Sequence, residues 1–283
     1  MTEEKIRSKF WREVAEQDNP FVARACYCAG YDVYGDVLNK ANWVEYLYLL
    51  AKGVRPTEKQ EKLLNGIAIA LANPGPKDHS VRGAMDGAVG GSTAAACLIS
   101  ALGIGAGNYG GAREIFHTVK IFSECRTNIS KYQALIDSPS TKEIEDIWRE
   151  MEHVPGFDPY GNQCALPVVQ TLSFLAQVDG SNTLSWLQQN RATLEKIANM
   201  PLSMVGVAAA CFIDLEFNED ESEMIYLLLR LPGAAVHALE QKIYGWRQYP
   251  FFANAMNLEN DPHHSSINQL QKQESHRELA LHE

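Results

Sequence analysis

Six side chains combine a reactive type with telling surroundings: His79, Tyr109, Asp158, Arg230, His237 and Arg247. Asp78-His79 and Asp158 carry carboxylate and imidazole groups, the usual agents of general acid and base catalysis. Tyr109 lies inside Gly107-Asn108-Tyr109-Gly110-Gly111-Ala112-Arg113-Glu114 and offers a phenol. A phenol donates a hydrogen bond but, with a pKa near ~10, shuttles protons slowly at neutral pH. An arginine fork pairs with both oxygens of a carboxylate, and Arg230 stands between Leu227-Leu228-Leu229 and the Pro232-Gly233 step. Gly105, Gly107, Gly110 and Gly111 form a loop whose backbone amides can approach a ligand, and Pro155-Gly156-Phe157 supplies a second wall.

Each candidate also has a structural reading. His79 fits a solvated helix start with Ser80 as cap. Asp158 falls in Phe157–Asn162, which is turn chemistry throughout. Arg230 suits a helix-end cation or a structural ion pair. His237, between Val236 and Ala238, suits a packed helix, and close-set glycines serve tight packing as well as ligand approach. His117 and His153 show no metal-ligand spacing with each other, and His263-His264 marks only an adventitious site, so no metal is expected.

The elements that must position these groups are helical. Trp43, Tyr46, Leu47 and Leu50 fall at i, i+3, i+4 and i+7, which predicts an apolar stripe facing a core. Leu63, Leu64, Ile67 and Leu71 repeat the pattern in a helix that Pro74-Gly75 stops. Gly90-Gly91 precedes the alanine-rich segment Ser92–Leu102, whose small side chains permit close helix contacts in the core or across a dimer interface. Ser140-Thr141-Lys142-Glu143 reads as a capping box for a helix to about Met151. Asn218-Glu219-Asp220-Glu221 reads as an acidic helix start. No run of alternating strands stands out, and the expected class is all-α.

The chain of 283 residues is long enough for a substantial core. Its net charge of −10 argues against nonspecific nucleic-acid binding, which needs clustered cations. Six cysteines, Cys26, Cys28, Cys97, Cys125, Cys164 and Cys211, are scattered through apolar segments and read as buried free thiols in a reducing compartment. The first twelve residues are charged, and no apolar run approaches ~20 residues, so a soluble, cytoplasmic protein without a membrane segment is expected. The tail beyond Asn257 is polar and holds four of the eight histidines.

Four segments in order carry a resemblance. Gly107–Glu114 resembles the Gly-Pro-Leu-His-Gly-Gly-Ala-Asn-Glu loop of citrate synthases and its shorter relative in citryl-CoA lyases. Gly30-Tyr31-Asp32-Val33, continuing through Trp43–Leu50 to Gly53–Thr57, is similar to the family's opening. Val154-Pro155-Gly156-Phe157 is similar to its Val-Pro-Gly-Phe-Gly-His loop, and Arg230–Gln241 to a late helix. The resemblance spans about residues 21 to 253, in the short lyase-like form.

The resemblance implies a helical fold with a large and a small lobe, a homodimer, and a site for a coenzyme A thioester or a 2-oxo or tricarboxylic acid. No covalently bound cofactor is implied. Residues 21–255 form the domain, with 1–20 as an N-terminal segment and 256–283 as the tail. Family enzymes use two histidines and an aspartate to make or break a carbon–carbon bond. The matching positions here are Pro74, Tyr109 and Val205, and Asp158-Pro159 replaces the family's Gly-His. The resemblance makes Tyr109 a candidate donor, with Asp158 and His79 as replacement acid/base groups. Arg230, Arg247 and His237 are candidate substrate-binding residues. Gly107, Gly110, Gly111, Pro155, Gly156 and Phe157 would line the coenzyme. The alternative is a noncatalytic homologue, acting as a ligand sensor or as the partner subunit of an active enzyme.

Overall fold

A computed structural model of the chain describes residues 8–137 and 153–249. The Ser140–Glu143 box and the tail with His263-His264 lie outside the described residues. The chain opens with a small antiparallel sheet in the order β1-β2-β3: β1 Arg12–Ala15, β2 Ala23–Cys28 and β3 Tyr31–Asp32. β1 pairs with β2 from Arg12↔Tyr27 to Ala15↔Ala23, which ties residues on both sides of position 20 into one hairpin. This sheet corrects the expectation of no strands. β2 is rich in alanine and cysteine, not the branched and aromatic residues that announce a strand. Its turn is legible only in retrospect: Ala29 and Gly30 both take positive φ, 50° and 88°, as a two-residue hairpin with right-handed strand twist requires.

A π-helical turn, Val33–Val37, leads into the short α1 (Leu38–Lys40) and then α2 (Trp43–Lys52) and α3 (Glu58–Ala72). Both longer helices start with reciprocal capping boxes, Asn42 with Glu45 and Thr57 with Gln60. Such a cap contributes about 1 kcal/mol. α3 ends at Ala72, just before Pro74-Gly75, and buries Leu63, Leu64, Ile67 and Leu71 as the periodicity predicts. α2 differs from expectation. Leu47, Tyr48 and Leu49 are buried, while Trp43 is 68% and Leu50 37% exposed. The rotation goes with a long-range contact: the Tyr48 hydroxyl donates to the Leu215 carbonyl at 3.2 Å, so a ring with a polar tip is accepted in the interior beside Phe217.

The remaining helices are α4 (His79–Val89), α5 (Ala94–Gly105), α6 (Ala112–Cys125), α7 (Ile129–Asp137), α8 (Leu166–Leu175), α9 (Asn182–Ala198), α10 (Met204–Asp214) and α11 (Glu219–Tyr244). α10 is buried at every position from Val205 to Phe212, which marks it as the central helix of the main core. Asp214 at its end accepts from the amides of Thr183 and Leu184, so the last carboxylate of α10 caps the start of α9. A second apolar layer, built from Ala84, Ala88, Ala101, Ala234 and Ala238, joins α4, α5 and α11. Here small residues do bring helices close: a Cβ on Gly83 would lie 2.3 Å from Ile104 Cδ1.

α11 begins with the predicted acidic start, Asn218 and Glu221 forming a capping box. It then runs unbroken through Pro232, so the expected step at Pro232-Gly233 is absent and Arg230 is not at a helix end. Gly233 is needed for packing: a Cβ there would lie 2.6 Å from the Ala72 carbonyl.

Burial pushes the thiols of Cys125, Cys164 and Cys211 up, Cys211 most. Cys164 is partly exposed and the other five cysteines are buried. Since the thiolate is the nucleophile, iodoacetamide at pH 8 is expected to modify Cys164 first, and Cys125 and Cys211 only after unfolding. Peptide mapping that finds Cys211 labelled in the native protein would contradict the packing of α10.

Candidate functional site

The site is organised around the backbone of one residue, Gly110, and one carboxylate, that of Glu114. The loop from Ala106 to Gly110 folds onto the start of α6, where Gly111 is the N-cap and has no side chain with which to cap. Gly111 sits so close to its own loop that a Cβ would fall 2.2 Å from the Gly107 carbonyl oxygen. Backbone cannot yield at that point. Gly111→Ala is therefore expected to cost about 2 kcal/mol as an overpacking change, measured as a lowered urea midpoint, and an unchanged midpoint would show that the loop is slack.

Glu114 does the capping from within the helix. It is 2% exposed, and its Oε2 accepts from the Gly110 amide at 2.6 Å while its Oε1 accepts from the Gly156 amide at 2.9 Å. A carboxylate in the first turn of a helix is also favoured by the helix dipole. One buried side chain thus joins the glycine loop to the Val154–Phe157 loop. The second loop is seated tightly as well: Gly156 has φ 88°, and a Cβ on Gly206 of α10 would lie 2.5 Å from the Gly156 carbonyl.

The carbonyl of Gly110 is held from the other side. Arg230 donates to it at 2.8 Å and Tyr226 donates to it at 3.0 Å. Burial pushes the Tyr226 phenol up to about 12, so it stays protonated and remains a donor. The guanidinium of Arg230 also lies over the Tyr226 ring and forms an ion pair with Asp78. Asp78 in turn is the N-cap of α4, accepting from the amides of Ser80 and Val81. The cap of this helix is therefore Asp78, not Ser80. Arg230 is 7% exposed and its fork is occupied within the protein.

Against the outer face of this knot rests Tyr109, 43% exposed, its ring stacked on that of His153 at 4.8 Å and 22°. The His153 side chain is 1% exposed and its Nε2 stands 3.2 Å from Glu114 Oε1. That contact lacks hydrogen-bond alignment, and neither ring nitrogen has a hydrogen-bond partner among the described residues.

The structure therefore gathers Tyr109, Gly107, Gly110, Gly111, Gly156 and Arg230 around Glu114. It leaves other candidates apart. His79 is exposed at the start of α4. Asp158 accepts from the Tyr160 amide at 2.9 Å, as the turn reading expects. Phe157 is 1% exposed in the main core, and Pro155 beside it is only partly covered. Arg247 is exposed and lies over the Trp246 ring. His237 Nε2 is 3.0 Å from Asn73 Oδ1, linking α11 to the end of α3.

Glu114, His153 and Tyr226 are central to this arrangement and were not read as site residues; Asp78, read beside His79 as an acid/base group, instead caps α4 and pairs with Arg230. Glu114 did leave a signal: with Thr118 and Phe122 it follows a spacing of four along the buried face of α6, where a carboxylate needs partners. Among the described residues no cluster of three or more metal-ligating side chains occurs, and no helix is long and apolar enough to cross a membrane.

No protein-family model matches the chain, and no curated protein matches its sequence. Solved structures do match its shape. A citryl-CoA lyase from Hydrogenobacter thermophilus superposes with a TM-score of 0.65 at 13% identity, over 90% of this chain and 94% of that one. An ATP citrate lyase from Methanothrix soehngenii, in complex with citrate and coenzyme A, gives 0.65 at 18% identity over 91% of this chain. A mutant ATP citrate lyase from Methanosaeta concilii, in complex with (3S)-citryl-CoA, gives 0.62 at 19% identity over 93% of this chain. The chain spans 42% and 44% of those two longer proteins. The fold is all-α apart from the small sheet, in the citrate synthase-like helical class.

Proposed function

We propose that this protein binds a coenzyme A thioester, or the 2-oxo or tricarboxylic acid that reacts with one, on the surface formed by the Gly107–Gly111 and Val154–Gly156 loops. The observation that carries this reading is the double grip of Glu114 on Gly110 and Gly156, which fixes two glycine-bearing loops as one preorganised surface. A loop surface already held in place binds without an ordering cost of its own, which is what a flexible coenzyme arm needs. Two of the similar structures were determined with coenzyme A or citryl-CoA, which supports the choice of ligand.

A second reading, a noncatalytic sensor or the partner subunit of an active enzyme, draws on the Arg230–Asp78 pair. The arginine that would clamp a substrate carboxylate already has an internal one. We place the protein as a soluble homodimer in the cytoplasm, with the exposed Ala95, Ala96, Ile99 and Gly103 face of α5 as the contact surface. Isothermal titration with coenzyme A, acetyl-CoA and oxaloacetate, followed by a citryl-CoA cleavage assay on the same sample, tests both readings. Binding with turnover supports the enzyme, binding alone supports the sensor, and no binding overturns the ligand assignment.

A further inference from the structure

His153 is a buried imidazole set against a buried carboxylate and stacked on the half-exposed ring of Tyr109. A histidine side chain enclosed to 1% with no hydrogen-bond partner for either nitrogen among the described residues is costly, because desolvated polar groups are normally satisfied. A purely structural residue at this position would be better apolar. The surroundings of His153 are also asymmetric. Below it Glu114 is fixed by two backbone amides and cannot turn away, since both of its oxygens already accept hydrogen bonds. Beside it the Gly110 backbone is held at its amide by Glu114 and at its carbonyl by Arg230 and Tyr226. The backbone next to Tyr109 is thereby clamped. The Tyr109 side chain is not: it is 43% exposed, and no hydrogen bond holds its hydroxyl among the described residues. That ring can turn about its own side-chain bonds while the backbone on either side of it stays held.

We infer that His153 is the proton-transferring residue of this site, with Glu114 as its positioning carboxylate and Tyr109 as its lid. The inference rests on the coenzyme A thioester reading given above. The step assigned to His153 is removal of a proton from the carbon beside the thioester carbonyl. The C–H bond breaks, its electron pair forms a carbon–carbon double bond, the carbonyl π pair moves to the oxygen, and the proton resides on the imidazole. The adjacent Glu114 carboxylate balances the imidazolium charge. Return of a solvent-exchanged proton regenerates the thioester, so the step needs no oxidant or second substrate.

The test uses the full-length protein with acetyl-CoA in deuterium oxide, coenzyme A binding being measured on the same samples. The wild type is expected to exchange the acetyl protons faster than buffer alone. His153→Gln is expected to lower the rate by about 100-fold, the scale of a lost general base, while coenzyme A affinity stays within about 3-fold, less than the tenfold that 1.4 kcal/mol represents. Diethyl pyrocarbonate gives a second readout that needs no His153 variant. Modification of His153 is expected to be slow in the wild type, about tenfold faster in Tyr109→Ala, as loss of one aromatic stack allows, and suppressed by coenzyme A. Coenzyme A binding without exchange overturns the inference and leaves the ligand reading intact, as does exchange that persists in His153→Gln. No coenzyme A binding removes both. If His153→Gln fails to fold, equal modification of His153 in wild type and Tyr109→Ala overturns the lid and with it the inference.

Discussion

Glu114→Ala is expected to be among the most damaging single substitutions outside the apolar core, lowering stability by about 4 kcal/mol. Two buried amides, of Gly110 and Gly156, lose their acceptor together, and an unsatisfied buried donor costs about 1–3 kcal/mol. The change also leaves a cavity at a position only 2% exposed. For a domain of this size the melting temperature should fall by roughly 8–16 °C, at about 2–4 °C per kcal/mol. Glu114→Gln separates the contributions. Its carbonyl oxygen still accepts from one amide, but its NH₂ group faces the other as donor against donor, so about half the loss is expected. The decisive readout is local: amide hydrogen exchange at Gly110 and Gly156 should accelerate together in Glu114→Ala. If those amides exchange at wild-type rates, Glu114 does not hold the two loops.

That linkage shows where sequence reasoning reached and where it stopped. Periodicity found α3 because its buried positions, Leu63, Leu64, Ile67 and Leu71, are all apolar. It misplaced the face of α2 because Tyr48 is buried through a hydroxyl whose acceptor, the Leu215 carbonyl, lies 167 residues away. The Pro232-Gly233 pair suggested a break by local rules, yet the helix continues. Its neighbour α3 packs on Gly233, and the packing around Ala72 and Asn73 outweighs the loss of one hydrogen bond at the proline. At the site, the glycine loop and its tyrosine were legible as a motif. The charge relations were not, since Glu114 meets Gly156 across 42 residues and Arg230 meets Asp78 across 152. The same side chain type in the same motif can bind a ligand or a neighbour, and only the fold decides which.

Arg230 is where that choice has the largest functional consequence. Arg230→Ala is expected to cost about 3–5 kcal/mol, the range for breaking a buried pair by removing one partner. It strands the Asp78 carboxylate and removes a donor from the Gly110 carbonyl. Arg230→Lys should recover only part, because a point charge cannot serve both acceptors at once as the planar fork does. The informative change is on the other side. Asparagine caps a helix about as well as aspartate, so Asp78→Asn keeps the start of α4 while removing the negative charge that occupies the guanidinium. If a ligand carboxylate competes with Asp78 for Arg230, Asp78→Asn should tighten oxaloacetate or citrate binding by about tenfold, equivalent to about 1.4 kcal/mol, although it lowers stability. Titration calorimetry on the wild type and Asp78→Asn decides the matter. Affinity that is unchanged or weaker in Asp78→Asn would mean that the pair stays closed when ligand binds, and that Arg230 belongs to the scaffold of the site.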